Sequence, residues 1–166
     1  MPIVTTVKED LAEKVGDLLR GANFSLSVAE SCTGGLLSNL ITNVSGSSDY
    51  FDRGFVTYSD NAKIELLGVL NCSLLDFGAV SRVVAEQMAE GARRNSGTDI
   101  GISTTGFAGP TGGTTEKPIG LVFIGIATSD GVVSEKFNFS GDRLDVKRQT
   151  AEQALDLLFQ FLTDGN

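Results

Sequence analysis

VAESCTGG, residues 28–35, decides how the chain is laid out. Behind it Phe24, Leu26 and Val28 alternate with Ser25 and Ser27, the period of a strand, and ahead of it LLSNLITNV returns apolar residues at helical spacing. Ser31 therefore stands at a strand-to-helix turn. It reads in two ways. Ser, Thr and Gly are common at helix starts, so Ser31 is an ordinary cap. Alternatively, the N–H groups of Thr33, Gly34 and Gly35 at a helix N-terminus stabilise an oxyanion or a phosphate while Ser31 attacks.

Working outward, Thr6-Val7-Lys8-Glu9 has the form of a capping box, and Val7, Leu11, Val15 and Leu18 continue at helical spacing to Gly21. GFVTY (54–58) predicts a second strand, followed by Ser59 or Asp60 as the cap of a short helix running to Gly68. SRVVAEQMAEGARR from Ser81 predicts a helix, and DIGIST (99–104) a third strand. IGLVFIGIAT and VVSEKFNF are strands joined at Asp130-Gly131, a hairpin signal, and Leu144, Ala151, Leu155, Leu158 and Leu162 mark a closing helix. Helices before, between and after five strands predict a three-layer α/β/α sandwich with a mixed sheet, the whole of 1–166 forming one domain.

Composition narrows the function. The chain has 166 residues, 41% of them hydrophobic and 20% charged, enough for a substantial core. Its net charge of -8, with no basic run, argues against a nucleic-acid ligand. No apolar run approaches a bilayer span and no signal peptide is evident, so no membrane partner and a cytoplasmic location are expected. With His at 0, and with Cys32 and Cys72 lacking metal-type spacing, neither a zinc or iron set nor a Ser-His pair can be assembled. Acid–base work falls to Lys, Tyr, Asp or Glu.

If the first three strands run parallel, ESCTGG, YSDNAK and TGFAGPTGG share the carboxyl edge of the sheet, where α/β folds bind ligands. Lys63, in the first turn of its helix, is either a solvated lysine or an amine turned inward, where dipole and desolvation would strip its charge and let it take the Ser31 proton. Tyr58 either orients that proton or is simply a strand aromatic. Cys32, with Glu30 and Lys63, would make a Glu-Lys-Cys set of the nitrilase kind, against the plainer reading of a small buried cysteine. Gly106, Gly109, Gly112 and Gly113 form a flexible lid or, stiffened by Pro110, an anion-binding nest. Arg53, Lys117, Arg143 and Arg148 are the candidate phosphate cations, Arg143 being either ligand or surface charge.

AESCTGGLLSNLITNVSGSSDYFDRGFVTYSDNAKIELLGV, GAVS, TGFAGPTGGTTEKPIGLVFIGIAT and GDR together resemble the C-terminal domain family of competence/damage-inducible protein CinA, in its stand-alone form, over nearly the whole chain. The resemblance implies an anticodon-binding-domain-like α/β/α fold with a five-stranded mixed sheet. It also implies a nicotinamide-nucleotide amidase that converts nicotinamide mononucleotide to nicotinate mononucleotide and ammonia, without metal or cofactor. The family's Ser, Tyr and Lys fall on Ser31, Tyr58 and Lys63, while Thr105 and Thr111 depart from its usual residues. Thr33, Gly34, Gly35, Thr105, Gly106, Gly109, Gly112, Gly113 and Arg143 are the expected substrate contacts. Larger family members carry an N-terminal domain linked with pyrophosphatase action, which is not expected of these residues. The alternative is a non-catalytic nucleotide-sensing or protein-interaction module. Homo-oligomerisation is left open.

Overall fold

The computed structural model describes residues 6–165, with side chains from residue 10 onward. The elements in order are α1 (Thr6–Ala22), β1 (Leu26–Glu30), α2 (Leu36–Thr42), a 3-10 turn (Ser47–Asp49), β2 (Phe51–Val56), α3 (Asp60–Leu67), α4 (Asn71–Phe77), α5 (Arg82–Ser96), β3 (Ile100–Gly106), β4 (Leu121–Thr128), β5 (Gly131–Asn138) and α6 (Arg143–Asp164). The Thr6–Glu9 capping box falls on side chains outside the described ones.

One five-stranded sheet, in the order β2-β1-β3-β4-β5, carries a helical layer on each face. β2, β1 and β3 are mutually parallel, and β4 and β5 complete the sheet antiparallel, as a hairpin signal after a parallel half requires. On one face Leu26, Val28, Ile102 and Ile124 pack against α1, α2 and α6. On the other, Ala29 packs with Val84 and Met88 of α5 and with Leu67 at the end of α3. The expected three-layer sandwich with a mixed sheet is the observed fold.

Four local readings need correction. β1 is buried at all five positions because it lies inside the sheet with both faces covered, so Ser27 does not face water but hydrogen-bonds Thr98 Oγ1 at 2.8 Å, while Phe24 lies outside the strand and exposed. β2 begins three residues earlier than GFVTY suggested. It is an edge strand, where exposed Asp52 and Arg53 are tolerated, and the chain leaves the sheet before Tyr58. α4 went unseen, its seven residues NCSLLDF being too short to establish a period. Leu144 is exposed and not part of the core of α6.

The register places the site. Glu30 at the end of β1 pairs with Val56, the last residue of β2, on one side and with Thr104 on the other, so β1 and β2 finish level and β3 runs on to Gly106. The segments after them therefore rise from one edge. Helix α3 is pressed close to α5, where a Cβ on Gly91 would stand 2.0 Å from the Leu67 carbonyl oxygen, and only glycine permits that approach.

Candidate active site

After β1 the backbone makes a tight turn: Ser31 N–H donates to Thr104 O (3.0 Å), Gly34 N–H to Ser31 O (3.1 Å) and Leu36 N–H to Thr33 O (3.1 Å). Gly34 and Gly35 have φ of 59° and 103°, a left-handed pair that side-chain-bearing residues rarely adopt. Ser31 is therefore not the cap of α2; Gly35 holds that position and has no side chain to offer. The cap comes from Glu30. Its fully buried carboxylate accepts from Leu37 N–H (2.7 Å), Ser38 N–H (3.0 Å) and the Ser38 hydroxyl (2.7 Å).

That carboxylate fills the amide end of α2, so the helix terminus itself is not the anion site the sequence suggested. What remains is the turn. The N–H groups of Thr33 and Gly35 have no acceptor among the described residues, whereas Gly34 is used internally; Thr33 is fully buried, however, and contrary to expectation none of the three lines the cleft that opens over Ser31. The Thr33 side chain faces inward, bonded to Thr104 Oγ1 at 2.7 Å, and ties the turn to β3.

Lys63 arrives from the neighbouring loop. Ser59 caps α3 by accepting from Ala62 N–H at 3.0 Å, and the fourth helical residue points back under the strand ends. Lys63 is 1% exposed, and its Nζ donates to Ser31 Oγ at 3.1 Å and to Thr57 O at 2.8 Å. No carboxylate lies within ion-pair distance of it among the described residues. A buried ammonium has three N–H groups to satisfy and a large desolvation cost, whereas a neutral amine has two and a lone pair. Burial accordingly lowers the pKa of Lys63, with the charge of Asp60 acting the other way.

Cys32 follows the plainer reading. It is buried, and burial pushes its thiol up to about 12, with Glu30 adding to the rise. A thiol so held is protonated and inert. Glu30 is committed to α2, so the Glu-Lys-Cys set is not assembled.

A cleft of about 320 Å³ opens above this pair, lined by Ser31, Tyr58, Lys63, Thr105, Gly106 and Arg143 among others. Tyr58 is 60% exposed, and its hydroxyl accepts from Arg143 Nη2 at 2.6 Å; it touches neither Ser31 nor Lys63. Arg143 Nη1 donates to Gly109 O at 2.7 Å, so its guanidinium bridges the loop after β2 and the loop after β3. Thr105 lines the cleft, but its hydroxyl donates to Ala79 O at 2.8 Å. The glycine-rich loop is closed at its neck by Phe107 N–H to Leu121 O (3.0 Å) and Gly120 N–H to Phe107 O (2.7 Å), giving it a defined shape. Gly106 reaches the cleft and Gly109 holds Arg143, whereas Gly112 and Gly113 are exposed and do not line it.

Of the other cations considered, Arg53 pairs with Asp52, Arg148 with Asp145 and Glu152, and Lys117 with the carbonyls of Phe77 and Val80. None reaches the cleft. The sequence reading missed Glu30 as a cap and passed over Lys147, which stands one helical turn beyond Arg143. A larger hollow, about 1230 Å³, lies at the opposite end of the strands around Thr98, Asp99, Thr128 and Asp130, far from this chemistry.

With this geometry in place, comparison with known proteins is specific. The CinA C-terminal domain family matches residues 8–162. A relative from Caldicellulosiruptor saccharolyticus with a competence-damage inducible name is 56% identical over 150 residues, covering 90% of this chain. A CinA-like protein from Chloroherpeton thalassium is 48% identical over 164 residues, covering 96% of this chain. The chain spans only 36% and 39% of those two relatives. Among solved structures, competence/damage inducible protein CihA from Agrobacterium tumefaciens is 39% identical with a TM-score of 0.92, covering 98% of this chain and 99% of that one. A family model spanning nearly every described element, whole-chain structural matches and the level strand ends place the chain in the CinA C-terminal domain family.

Proposed function

We propose that the chain is a serine amidohydrolase that hydrolyses the carboxamide of nicotinamide mononucleotide to nicotinate mononucleotide and ammonia. The observation that carries this reading is the contact between the Ser31 hydroxyl and a buried lysine with no carboxylate partner. With Lys63 neutral, the Ser31 O–H donates to the amine lone pair, and proton transfer generates the alkoxide. The alkoxide adds to the carboxamide carbon, and backbone N–H groups of the turn that begins at Cys32, or those of the glycine loop that begins at Gly106, receive the oxyanion. Lys63 returns the proton to the departing nitrogen, which leaves as ammonia. Water then adds to the acyl ester with Lys63 again as base, releasing the carboxylate and restoring the Ser31 hydroxyl.

The Lys63 bond to Thr57 O fixes the amine's direction, and the absent counter-carboxylate lets it stay neutral. Tyr58, bonded to Arg143, is placed to orient that guanidinium. A cleft of about 320 Å³ suits a small molecule and not a polymer. The test is ammonia release from nicotinamide mononucleotide by the purified chain. Ser31→Ala is expected to lower kcat at least about a thousandfold, since the nucleophile and its base act as a unit. Full activity in Ser31→Ala would end the serine mechanism. Mononucleotide binding without turnover in the wild type would favour the non-catalytic sensing module.

A further inference from the structure

We infer that Lys147 and Arg143 form an anion subsite at the edge of this cleft, holding a phosphate monoester against the Ser31–Gly35 turn. The identity of the ligand rests on the amidase reading; the subsite itself rests on the geometry. Arg143 and Lys147 are four residues apart on α6, and such residues share a helix face. Arg143 lines the cleft. Lys147 Nζ lies over the turn, 3.6 Å from where a Cβ on Gly34 would sit.

Neither cation has a carboxylate partner among the described residues, although Asp60 also lines the cleft. Lys147 is half-buried and has neither an ion pair nor a hydrogen bond among the described residues. Its neighbour on the helix, Arg148, is paired with Asp145 and Glu152, so carboxylates are at hand and Lys147 does not use them. Arg143 meets only neutral partners, the Tyr58 hydroxyl and the Gly109 carbonyl. On the turn itself the Gly35 N–H has no acceptor among the described residues. A chain of net charge -8 that sets two cations without carboxylate partners on one helix face, one lining the cleft and the other over the turn beside it, offers an anion a place there. The field of Lys147 also reaches Cys32, the residue next to Ser31, where it opposes the upward push of burial on the thiol. A phosphate dianion matches both cations at once, and the loop after β3 would then be free to serve the carboxamide end.

The experiment uses calorimetry on Ser31→Ala protein, which cannot turn over, with nicotinamide mononucleotide, its phosphate-free nucleoside and inorganic phosphate as titrants. The mononucleotide is expected to bind at least about tenfold more tightly than the nucleoside. Adding Lys147→Met, which keeps the aliphatic stem, is expected to weaken the mononucleotide and inorganic phosphate by about 10- to 100-fold while leaving the nucleoside unchanged, and Lys147→Arg to restore most of the loss. Equal weakening of mononucleotide and nucleoside, or no weakening of either, overturns the subsite. If the Ser31→Ala protein binds none of the three, both the subsite and the substrate assignment fall. If wild-type protein releases ammonia from the mononucleotide and Lys147→Met does so with unchanged KM, the amidase reading stands and the Lys147 assignment alone is lost.

Discussion

Replacing Lys63 by methionine keeps the length of a side chain that is 1% exposed and removes only its amine. Two opposing terms set the stability change. Thr57 O loses the donor it now has at 2.8 Å, and a buried carbonyl left unpaired costs about 1–3 kcal/mol. Against this, the wild-type fold must hold a lysine whose pKa burial drives below its ordinary 10.5, and that penalty disappears in the variant. Between the folded-state value and 10.5 the unfolded chain binds one more proton than the folded one. Wild-type stability therefore rises with pH across that window by about 1.4 kcal/mol per pH unit, and it is level below the folded value and above 10.5. Below the window the lysine penalty is at its fullest and offsets most of what the orphaned carbonyl costs the variant. Near pH 10.5 the lysine penalty is gone and the variant is the less stable one. The difference between the two proteins must therefore widen with rising pH inside the window, by about 3–5 °C of melting temperature per pH unit for a domain of this size. Urea titrations of both proteins from pH 6 to pH 10.5 measure it, since groups common to both cancel. A difference that stays constant over the whole range would mean that Lys63 keeps its proton in the fold, and the base mechanism would be refuted.

The same variant is expected to lose about 10²–10⁴ in kcat, the usual range for a general base. Asp60→Asn removes a charge that raises the pKa of Lys63, so the acidic limb of kcat/KM should move to lower pH; movement upward would contradict the assigned electrostatics. Glu30→Gln replaces an acceptor of three hydrogen bonds by an amide with only one acceptor oxygen, and a loss of roughly 2–4 kcal/mol is expected in denaturant titration. A change within experimental error would remove Glu30 as the cap of α2. Gly91→Ala drives a methyl group to 2.0 Å from Leu67 O, so α3 must shift, costing roughly 1–3 kcal/mol and about a hundredfold in kcat if Lys63 moves with it. Tyr58→Phe frees Arg143 without touching the Ser31–Lys63 pair, and KM should rise with kcat within about threefold; a far larger fall in kcat would restore Tyr58 as a proton relay.

How much of this was legible depended on whether the signal was local. Ser31 and Lys63 could be brought together from sequence because each follows a strand directly, and parallel strands ending level carry such loops to one edge. The hairpin at Asp130-Gly131 and the cap at Ser59 were likewise written in adjacent residues. The start of β2 was not, because Asp52 and Arg53 break the apolar run and only the edge position makes them acceptable. Nor was the Tyr58–Arg143 bond, which joins residues 85 apart and depends on how α6 lies against the loop after β2. Glu30 was misleading for a physical reason: a carboxylate at a strand end suggests a catalytic or exposed group, and nothing local says that α2 will bring three donors to it. Lys147 gave no signal beyond its spacing from Arg143.

The two cations and the buried amine also explain why the site needs this division of labour. An anion bound beside Lys63 would favour its protonated form, since a nearby opposite charge stabilises an ammonium. Arg143 and Lys147 would set two positive charges beside a phosphate held there, which offsets the field it exerts on the amine. Glu30, the carboxylate next in sequence to Ser31, is turned into α2 and satisfied by its donors, not left facing Lys63. Both arrangements act in one direction: they keep negative charge from returning the proton that Ser31 must be able to give.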